Sequence, residues 1–237
     1  MKSSAHTVGE ELRATEAFYD TVASRYDVEV DSTANVKLRD HFRRLVSTMA
    51  GEHGTILDFG CGTGTDAAWY AVGGHRTFAY DISSGMVDIL RRRCVREIAD
   101  GRVVPIAGGL DRLESELEKT GPLAAVAANF AVLNHMNDLR PVFGMFASHL
   151  APRGAVVANV LNPFYWRDMR QMWWWRNVIR GVGTGSIRFA GDVTTYRHFV
   201  PTIASMATPA FTLEKPNSTW RNTFAMNFRL LVLRKRD

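Results

Sequence analysis

The chain has 237 residues, 46% of them apolar, which is enough to bury a sizeable core in one large domain or one domain with an insertion. The formal net charge of +5 comes mostly from scattered arginines, as on a solvated surface, so no nucleic-acid partner is expected. Only Cys61 and Cys94 carry thiols, the amino-terminal stretch is polar, and no apolar run approaches about 20 residues. These features predict a soluble protein of the reducing cytoplasm.

The first two-thirds of the chain alternate between strand and helix patterns. An amphipathic helix is predicted over 36–50, and the helical patterns after it lie at 65–72, 84–99, near 113–119 and near 139–150. Apolar strand patterns lie at 55–59, 76–82, 102–107, 122–130 and 155–161. Short connections of this kind predict an α/β fold with parallel strands, right-handed crossovers and helices on both faces of the sheet.

The alternation stops after the fifth strand. Residues 162–207 are rich in Trp and Arg and are expected to form a helical cap insertion. Two further strand patterns at 210–215 and 224–234 lie close together and could form an antiparallel pair at the carboxyl-terminal edge.

A glycine-rich turn follows the first predicted strand in the stretch "TILDFGCGTGTDAAW". Gly60, Gly62 and Gly64 would let the backbone approach a ligand closely, and the next helix would point unpaired N–H groups at it. The ATP-type phosphate loop is excluded because it needs Lys and Ser or Thr after its last glycine. A dinucleotide turn needs G-x-G-x-x-G, and Asp58 would repel its pyrophosphate.

A cationic ligand suits this turn better than a phosphate does. S-adenosylmethionine carries a sulfonium and an ammonium group and has no phosphate, so Asp58 would attract it. Asp81 ends the second strand 81 − 60 = 21 positions after Gly60, where an acid would bind an adenosine ribose. The alternatives are a tight turn for the glycines and a cap of the next helix, near Ser83, for Asp81. Cys61 lacks a base partner nearby and is assigned no chemistry.

These motifs together resemble the class I S-adenosylmethionine-dependent methyltransferases that act on small molecules. The resemblance covers roughly 16–161, through "ILDFGCGTGTDAAWYA", "AYDISSGMVDILRRRC", "AAVAANFAVLNHMNDLRPVFGMFASHLAPRGAVVANVLN" and the upstream "AFYDTVASRYDVEV". It implies a Rossmann-like sheet of seven mostly parallel strands with an antiparallel carboxyl-terminal edge strand, and an amino-terminal lid helix. The implied cofactor-binding residues are Tyr26, Asp58, Gly60, Cys61, Gly62, Gly64, Asp81, Ile82, Met86, Gly109, Leu110, Asn129 and Phe130. An acid usual after the third strand is replaced by Gly108 and Gly109, so the N–H of Leu110 is the expected adenine contact.

Asn134 and His135 follow the fourth strand, at the sheet edge where open α/β folds place chemistry. His135 could take a proton from an acceptor hydroxyl, or it could be structural. Methyl transfer from a sulfonium is a direct displacement that depends on alignment, so a base is optional.

The cap at 162–207 admits three interpretations: aromatics packed on the sheet, an aromatic pocket for the acceptor, or a helix on a membrane surface. The candidate acceptor-binding residues are Tyr19, Trp166, Trp173, Tyr196, Arg197 and His198. On a helix the run Trp173, Trp174 and Trp175 would spread over about 200°, so at least one ring should turn inward. Membrane contact is therefore not favoured, and no flotation with anionic liposomes is expected.

The predicted function is methyl transfer from S-adenosylmethionine to an oxygen or nitrogen atom of a small-molecule acceptor, within a single domain over 1–237. Residues 1–50 would form the lid helices, no metal is expected, and the oligomeric state is open. The alternatives are an NAD(P)-dependent reductase on a related fold and a non-catalytic S-adenosyl-binding regulatory protein.

Overall fold

The computed structural model of the chain describes residues 2–30, 33–214 and 226–237. The strands in these ranges are β1 Ile56–Phe59, β2 Thr77–Asp81, β3 Val103–Ala107, β4 Leu123–Ala128, β5 Leu150–Leu161, β6 Ser186–Ala190, β7 Thr194–His198, β8 Phe211–Leu213 and β9 Phe228–Lys235. The helices are α1 Lys2–Val22, α2 Tyr26–Val30, α3 Thr33–Ala50, α4 Thr65–Val72, α5 Ser84–Arg93, α6 Val95–Ala99, α7 Leu110–Leu117, α8 Arg140–His149, α9 Trp166–Met169, α10 Met172–Thr184 and α11 Val200–Ala207. Residue 215 and residues 224–225, which belong to the last two predicted strands, lie outside the described residues.

Within the described ranges, the main sheet has seven strands in the order β3-β2-β1-β4-β5-β9-β8. The strands β1 to β5 pair in parallel, whereas β9 runs antiparallel to both β5 and β8. This confirms the predicted fold class and the predicted antiparallel pair. The strand order reverses between β1 and β4, and open α/β sheets bind ligands at the carboxyl ends of such a pair.

The core lies on both faces of the sheet because side chains along a strand point alternately to either side. On one face, Phe42 of α3 packs in the same cluster as Ile56. On the other face, Phe143 and Phe146 of α8 pack in a cluster with Phe59, whose ring lies 5.1 Å from that of Phe146. Because both layers are buried, the sheet is a rigid support for the loops at its carboxyl edge.

The insertion after β5 differs from the helical cap that the sequence predicts. It contains α9, α10 and α11, but α10 is followed by an antiparallel hairpin of β6 and β7. The hairpin turn lies at 191–193 and contains Gly191 and Asp192, a common turn pair that the sequence analysis passed over. The two ends of the hairpin that lie nearest the rest of the cap are buried, through Ser186 and Ile187 on β6 and through Tyr196, Arg197 and His198 on β7, whereas Arg188 and Ala190 are exposed.

The amino-terminal helices lie over the start of α5. Asp20 near the end of α1 accepts hydrogen bonds from the Ser83 hydroxyl at 2.6 Å and from the Gly85 N–H at 2.9 Å. A carboxylate at a helix amino terminus is favourable because it satisfies unpaired N–H groups. In the part of the chain that the structure describes, no helix has the length and apolar character needed to cross a membrane.

Candidate functional site

A cleft opens at the carboxyl ends of β1, β2 and β4, and its empty space, including the part open to solvent, is about 1040 Å³. Thirteen of the residues singled out from the sequence line it: Tyr19, Tyr26, Gly60, Cys61, Gly62, Asp81, Ile82, Met86, Gly109, Leu110, Asn129, Phe130 and His135. Residues from the lid, the glycine turn, β2, α7 and the loop after β4 therefore meet at one place.

The three glycines of the turn serve different purposes. A Cβ on Gly60 would lie 2.4 Å from Val132 Cγ2, and one on Gly64 would lie 2.5 Å from Leu90 Cγ, so both are needed for packing. A Cβ on Gly62 would have Tyr26 Cε1, at 3.7 Å, as its nearest neighbour. Gly62 therefore borders the open cleft, with φ of +52° that favours glycine. Its missing side chain leaves room for a ligand beneath the lid.

Asp81 is buried at the end of β2 and organises the turn. Its Oδ2 accepts a hydrogen bond from the Gly62 N–H, and its Oδ1 accepts one from the Ser83 N–H, both at 2.9 Å. Burial raises the pKa of this carboxyl to about 6, although the two backbone donors oppose the increase. Ser83 itself caps α5 by accepting from the Met86 N–H, so Asp81 is not the N-cap residue.

Of the two acids that flank the glycine turn, Asp66 lines the cleft and Asp58 does not. Asp58 is 1% exposed and does not reach the cleft, and its Oδ2 has no hydrogen-bond partner among the described residues. Burial raises the pKa of the Asp58 carboxyl well above its usual value, and the negative charge of Asp66 adds to the effect. The structure therefore does not place Asp58 where the sequence predicts contact with a cationic ligand.

We expect Asp58→Asn to stabilise the protein increasingly as the pH rises. A buried carboxyl with a raised pKa keeps its proton in the folded state and loses it in the unfolded state. The wild-type free energy of unfolding then falls by up to about 1.4 kcal/mol per pH unit above the unfolded pKa, until the folded pKa is reached. The side chain of Asn does not ionise, so the variant lacks this pH-dependent loss of stability. Urea titrations of both proteins between pH 5 and pH 8 test this, and an unchanged difference across that range would show that Asp58 is ionised when folded.

Asp66 belongs to a buried network that holds the end of β4. Its Oδ1 accepts from Arg43 Nε at 2.7 Å and lies 3.6 Å from Arg39 Nε, while its Oδ2 accepts from Asn129 Nδ2 at 2.8 Å. Asn159 of β5 donates in turn to Asn129 Oδ1 at 2.8 Å. Because charges buried this way need partners, the network fixes the positions of two cleft-lining groups, Asp66 and Asn129.

Arg39 and Asp66 are cleft residues that the sequence analysis did not identify. Arg39 is 6% exposed, lines the cleft, and lies with its guanidinium 4.9 Å from the centre of the Phe130 ring. In the sequence it is one of several arginines on an amphipathic helix, so nothing local distinguishes it. Asp66 lies in the first turn of α4, where an acid is common for reasons of helix stability alone.

Tyr19 and His135 form a pair on the opposite wall. Tyr19 Oη and His135 Nε2 are 3.0 Å apart, and the two rings meet edge to face at 5.5 Å between centres. Burial lowers the pKa of the His135 imidazole, so the ring is neutral near pH 7. The nearby Thr194 backbone has the opposite, smaller effect on this pKa. Burial raises the pKa of the Tyr19 hydroxyl well above its usual range. The pair is thus a neutral donor and acceptor that face the cleft beside Leu12, Thr15 and Met136.

Several predicted residues do not line the cleft. Asn134 is fully buried; its amide donates to the Tyr196 carbonyl at 2.6 Å and accepts from the Leu161 N–H at 2.9 Å, so it joins β7 to β5. Gly64 lies behind the turn. The remaining ones belong to the cap: Trp166, Trp173, Tyr196, Arg197 and His198.

These cap residues have contacts of their own. Arg197 forms an ion pair with Asp168 at 2.9 Å, and its guanidinium lies 5.6 Å from the Trp173 ring centre. Tyr196 donates to Glu11 of the lid, and His198 Nε2 donates to the Met136 carbonyl at 2.8 Å. Tyr196 and His198 also line a second, polar cavity between the hairpin, α10 and α11. Tyr196 and His198 therefore attach the cap to the lid and to the cleft wall, whereas Arg197 and Trp173 contact each other within the cap.

The lid is held over the glycine turn by a second carboxylate. Asp27 accepts a hydrogen bond from the Thr63 hydroxyl and forms an ion pair with Arg93 of α5. Tyr26, the residue before it, lies against Gly62, and burial raises the pKa of its hydroxyl to about 12. Tyr26 therefore borders the cleft, and Asp27 fastens the lid to the glycine turn and to α5.

At the far end of the cleft lie Ile82, Met86, Gly109 and Leu110. Leu110 begins α7, and the N–H groups of a first helical turn have no partner within the helix. Asp111 is exposed and does not line the cleft. An apolar slot with a free backbone donor suits a flat heteroaromatic ring.

A doubly wound sheet with a glycine turn and a buried acid at the ends of neighbouring strands defines a Rossmann-like protein that binds an adenosine-type ligand. A family model described as a methyltransferase domain matches residues 31–187, which is 157 of the 237 residues. The chain belongs to this methyltransferase family. The resemblance drawn from the sequence motifs is thereby confirmed.

The chain is also similar to individual methyltransferases. It is 41% identical over 80 residues to a demethylmenaquinone methyltransferase of Clavibacter sepedonicus, a match that spans 32% of each chain. The 1,6-didemethyltoxoflavin-N1-methyltransferase of Burkholderia thailandensis, solved with bound 1,6-didemethyltoxoflavin and S-adenosylhomocysteine, matches with a TM-score of 0.63 and 17% identity over 97% of this chain and 90% of that one. Magnesium protoporphyrin IX methyltransferase of Synechocystis PCC 6803, solved with S-adenosylhomocysteine, matches with a TM-score of 0.63 and 17% identity over 95% and 99%. At 17% identity, the similarity to these two structures shows the fold alone.

Proposed function

We propose that this protein transfers a methyl group from S-adenosylmethionine to an oxygen or nitrogen atom of a small-molecule acceptor. It does so in the cytoplasm as one methyltransferase domain over 1–237, with a lid and a cap. The observation that carries the proposal is the single cleft in which the glycine turn and Asp81 face the Tyr19–His135 pair. A cofactor half and an acceptor half thus share one space.

The cleft residues fit the parts of this cofactor. The Asp81 carboxylate can accept from the ribose hydroxyls, and Ile82, Met86 and Leu110 border an apolar slot for the adenine. Beside the glycine turn, Asp66 presents an anionic group suited to the ammonium and Arg39 a cationic group suited to the carboxylate. These cleft residues therefore include one group for each charge of an amino acid, and they include no cluster of cationic groups suited to a pyrophosphate.

S-adenosylmethionine supplies an electrophilic methyl group on a sulfonium. The protein must then hold the acceptor atom in line with that methyl and keep water out. Tyr19 and Tyr26 come from the lid and close the cleft over the glycine turn. The buried, neutral His135 can take the proton that a hydroxyl or an ammonium acceptor loses, directly or through the Tyr19 hydroxyl at 3.0 Å. This pair favours an acceptor that carries an acidic proton.

Calorimetry is expected to show binding of S-adenosylhomocysteine and no binding of NAD or NADP. The physical reason is that Asp66 and Arg39 beside the glycine turn carry opposite charges, which match an ammonium and a carboxylate rather than a pyrophosphate. Binding of a nicotinamide cofactor without binding of S-adenosylhomocysteine would contradict the proposal and support a reductase.

Catalysis is tested separately from binding. Incubation with methyl-labelled S-adenosylmethionine and fractionated cell extract should give a labelled small molecule whose mass has increased by one methyl group. Gly62→Val provides the control, because its side chain would fill the space beneath Tyr26 at a residue with φ of +52°. Tight cofactor binding without any labelled product from any fraction would indicate a regulatory protein.

A further inference from the structure

The outer face of α10 carries a continuous ridge of exposed apolar side chains. Met172, Trp175, Ile179 and Val182 are 75%, 56%, 80% and 74% exposed. Their spacings of three, four and three residues place them on one side of a helix. We call these four side chains the α10 ridge. Scattered exposed apolar residues are ordinary on protein surfaces, whereas a helical stripe of them marks an interaction site.

The ridge is fixed in its outward orientation. Trp174 lies on the opposite side of α10, is 4% exposed, and donates from Nε1 to the Pro163 carbonyl at 2.7 Å. Gly181, on the same buried side, would place a Cβ 2.9 Å from the Ser186 carbonyl oxygen, so the helix packs closely on the hairpin. Rotating the ridge inward would break both contacts. Its exposure is therefore a property of the folded cap.

Arginines flank the ridge without acidic partners. Arg176 and Arg180 of α10 are exposed on one side of it, and neither makes an ion pair with any residue the structure describes. Arg167 and Arg170 lie with their guanidinium groups 5.5 and 5.6 Å from the ring centre of Trp166, which is 42% exposed. Asp168, the acid between those two, is turned to Arg197 in the cap. Apart from Asp168 and the exposed Asp192 of the hairpin turn, the charged side chains of α9, α10 and the hairpin are therefore arginines.

We propose that the α10 ridge docks on an anionic membrane surface. Apolar side chains and a Trp with adjacent arginines are the composition of a helix that lies in the lipid headgroup region. Long arginine side chains can keep their charge at the phosphates while their stems cover apolar surface. A convex ridge of four side chains on one helix offers much less area than the roughly 1,200–2,000 Å² of a stable protein interface. The shape and the charge therefore favour lipid over a second protein.

The ridge lies at the edge of the sheet where the cleft opens. β5 ends at Leu161, and α9 and α10 follow directly from its carboxyl end. The hairpin after α10 contacts the lid through Tyr196 and Glu11, and the Met136 carbonyl of the cleft wall accepts from His198. Docking at the ridge would hold this edge near a lipid surface.

This inference reverses the expectation drawn from the sequence. The spread of the three tryptophans is as expected, since Trp174 is buried, Trp173 is half-buried against Phe189 and Trp175 is exposed. That expectation considered the aromatic residues of the helix alone. The apolar stripe is made by one Trp with three aliphatic side chains, and its direction depends on contacts of the cap.

The test is flotation with vesicles of phosphatidylcholine alone and with an equimolar mixture of phosphatidylcholine and phosphatidylglycerol. We expect the wild type to float with the mixed vesicles at low salt, and Ile179→Asp with Val182→Asp to float at least tenfold less. The control is Val72→Asp with Val95→Asp, which adds the same charge at valines that are 74% and 61% exposed on other helices. This control should float like the wild type.

A second pair of variants tests the charge. Arg176→Gln with Arg180→Gln should lower flotation several-fold, whereas Arg92→Gln with Arg96→Gln on the α5–α6 surface should not. Equal losses in both pairs would mean general electrostatic attraction and overturn the proposal. Absence of flotation, or a dimer in light scattering that the ridge variant abolishes, would also overturn it. Binding of S-adenosylhomocysteine by every variant is measured in parallel, so the outcome is independent of the proposed reaction.

Discussion

His135→Asn is expected to lower turnover by about 10²–10⁴-fold while the affinity for S-adenosylhomocysteine stays within a few-fold of the wild type. The imidazole contacts the acceptor half of the cleft through Tyr19, and none of its contacts reaches the glycine turn or Asp81. An amide of similar size keeps a polar group at the same place but cannot take a proton. Label transfer from methyl-labelled S-adenosylmethionine gives turnover, and calorimetry gives affinity.

The pH dependence separates a base from a structural histidine. Burial lowers the pKa of His135, so the neutral, proton-accepting form persists to a pH below 6.5, and wild-type turnover should fall only below that pH. His135→Asn should remove this acidic limb. Tyr19→Phe, which deletes the hydroxyl at 3.0 Å and keeps the ring, is expected to retain the limb at a lower rate. A histidine variant that loses cofactor affinity and keeps its acidic limb would assign His135 to the shape of the cleft.

The sheet could be predicted from the sequence because its strands are short, buried on both faces and separated by amphipathic helices. Each strand then reads as an apolar run, and each crossover has one handedness. The glycine turn and Asp81 could also be found, since both are defined by spacing within one βαβ unit of 56–81. The local sequence pattern was therefore sufficient to predict those candidate binding residues that lie within one βαβ unit.

Contacts between elements that are far apart in the chain could not be predicted from the sequence. Tyr19 and His135 are 116 residues apart, and only the docking of α1 on the cleft brings them together. Asp58 and Asp66 both flank the glycine turn, and which of them faces the cleft depends on the positions of Arg43 and Asn129, which contact Asp66. The hairpin of the cap has a local signal in Gly191 and Asp192, but the Trp-rich stretch before it is typical of a helix and gives the stronger pattern.

Asp81→Asn is expected to weaken S-adenosylhomocysteine binding about ten- to a hundredfold at pH 7.5. Replacing a charged acceptor of two ribose hydroxyls by a neutral one costs roughly 1.5–3 kcal/mol. Asp81 also accepts from the N–H groups of Gly62 and Ser83 at 2.9 Å, one on each oxygen, and the amide keeps one of these two acceptors. Alanine would leave two buried donors unpaired and lower stability along with affinity. Calorimetry gives the affinity, and a urea titration gives the free energy of unfolding.

The pH dependence of that affinity follows from the pKa of Asp81, which burial raises to about 6 in the free protein. Ribose hydroxyls bind the ionised carboxylate best, so the complex holds a lower pKa than the free protein. Affinity should then be full above pH 6 and fall by up to tenfold per unit as the pH drops below it. Asp81→Asn should show no such decline, and Asp20→Asn, which removes a nearby negative charge that raises the same pKa, should move the decline to lower pH. Equal pH dependence in wild type and Asp81→Asn would assign the decline to another group and leave Asp81 as a structural support of the turn.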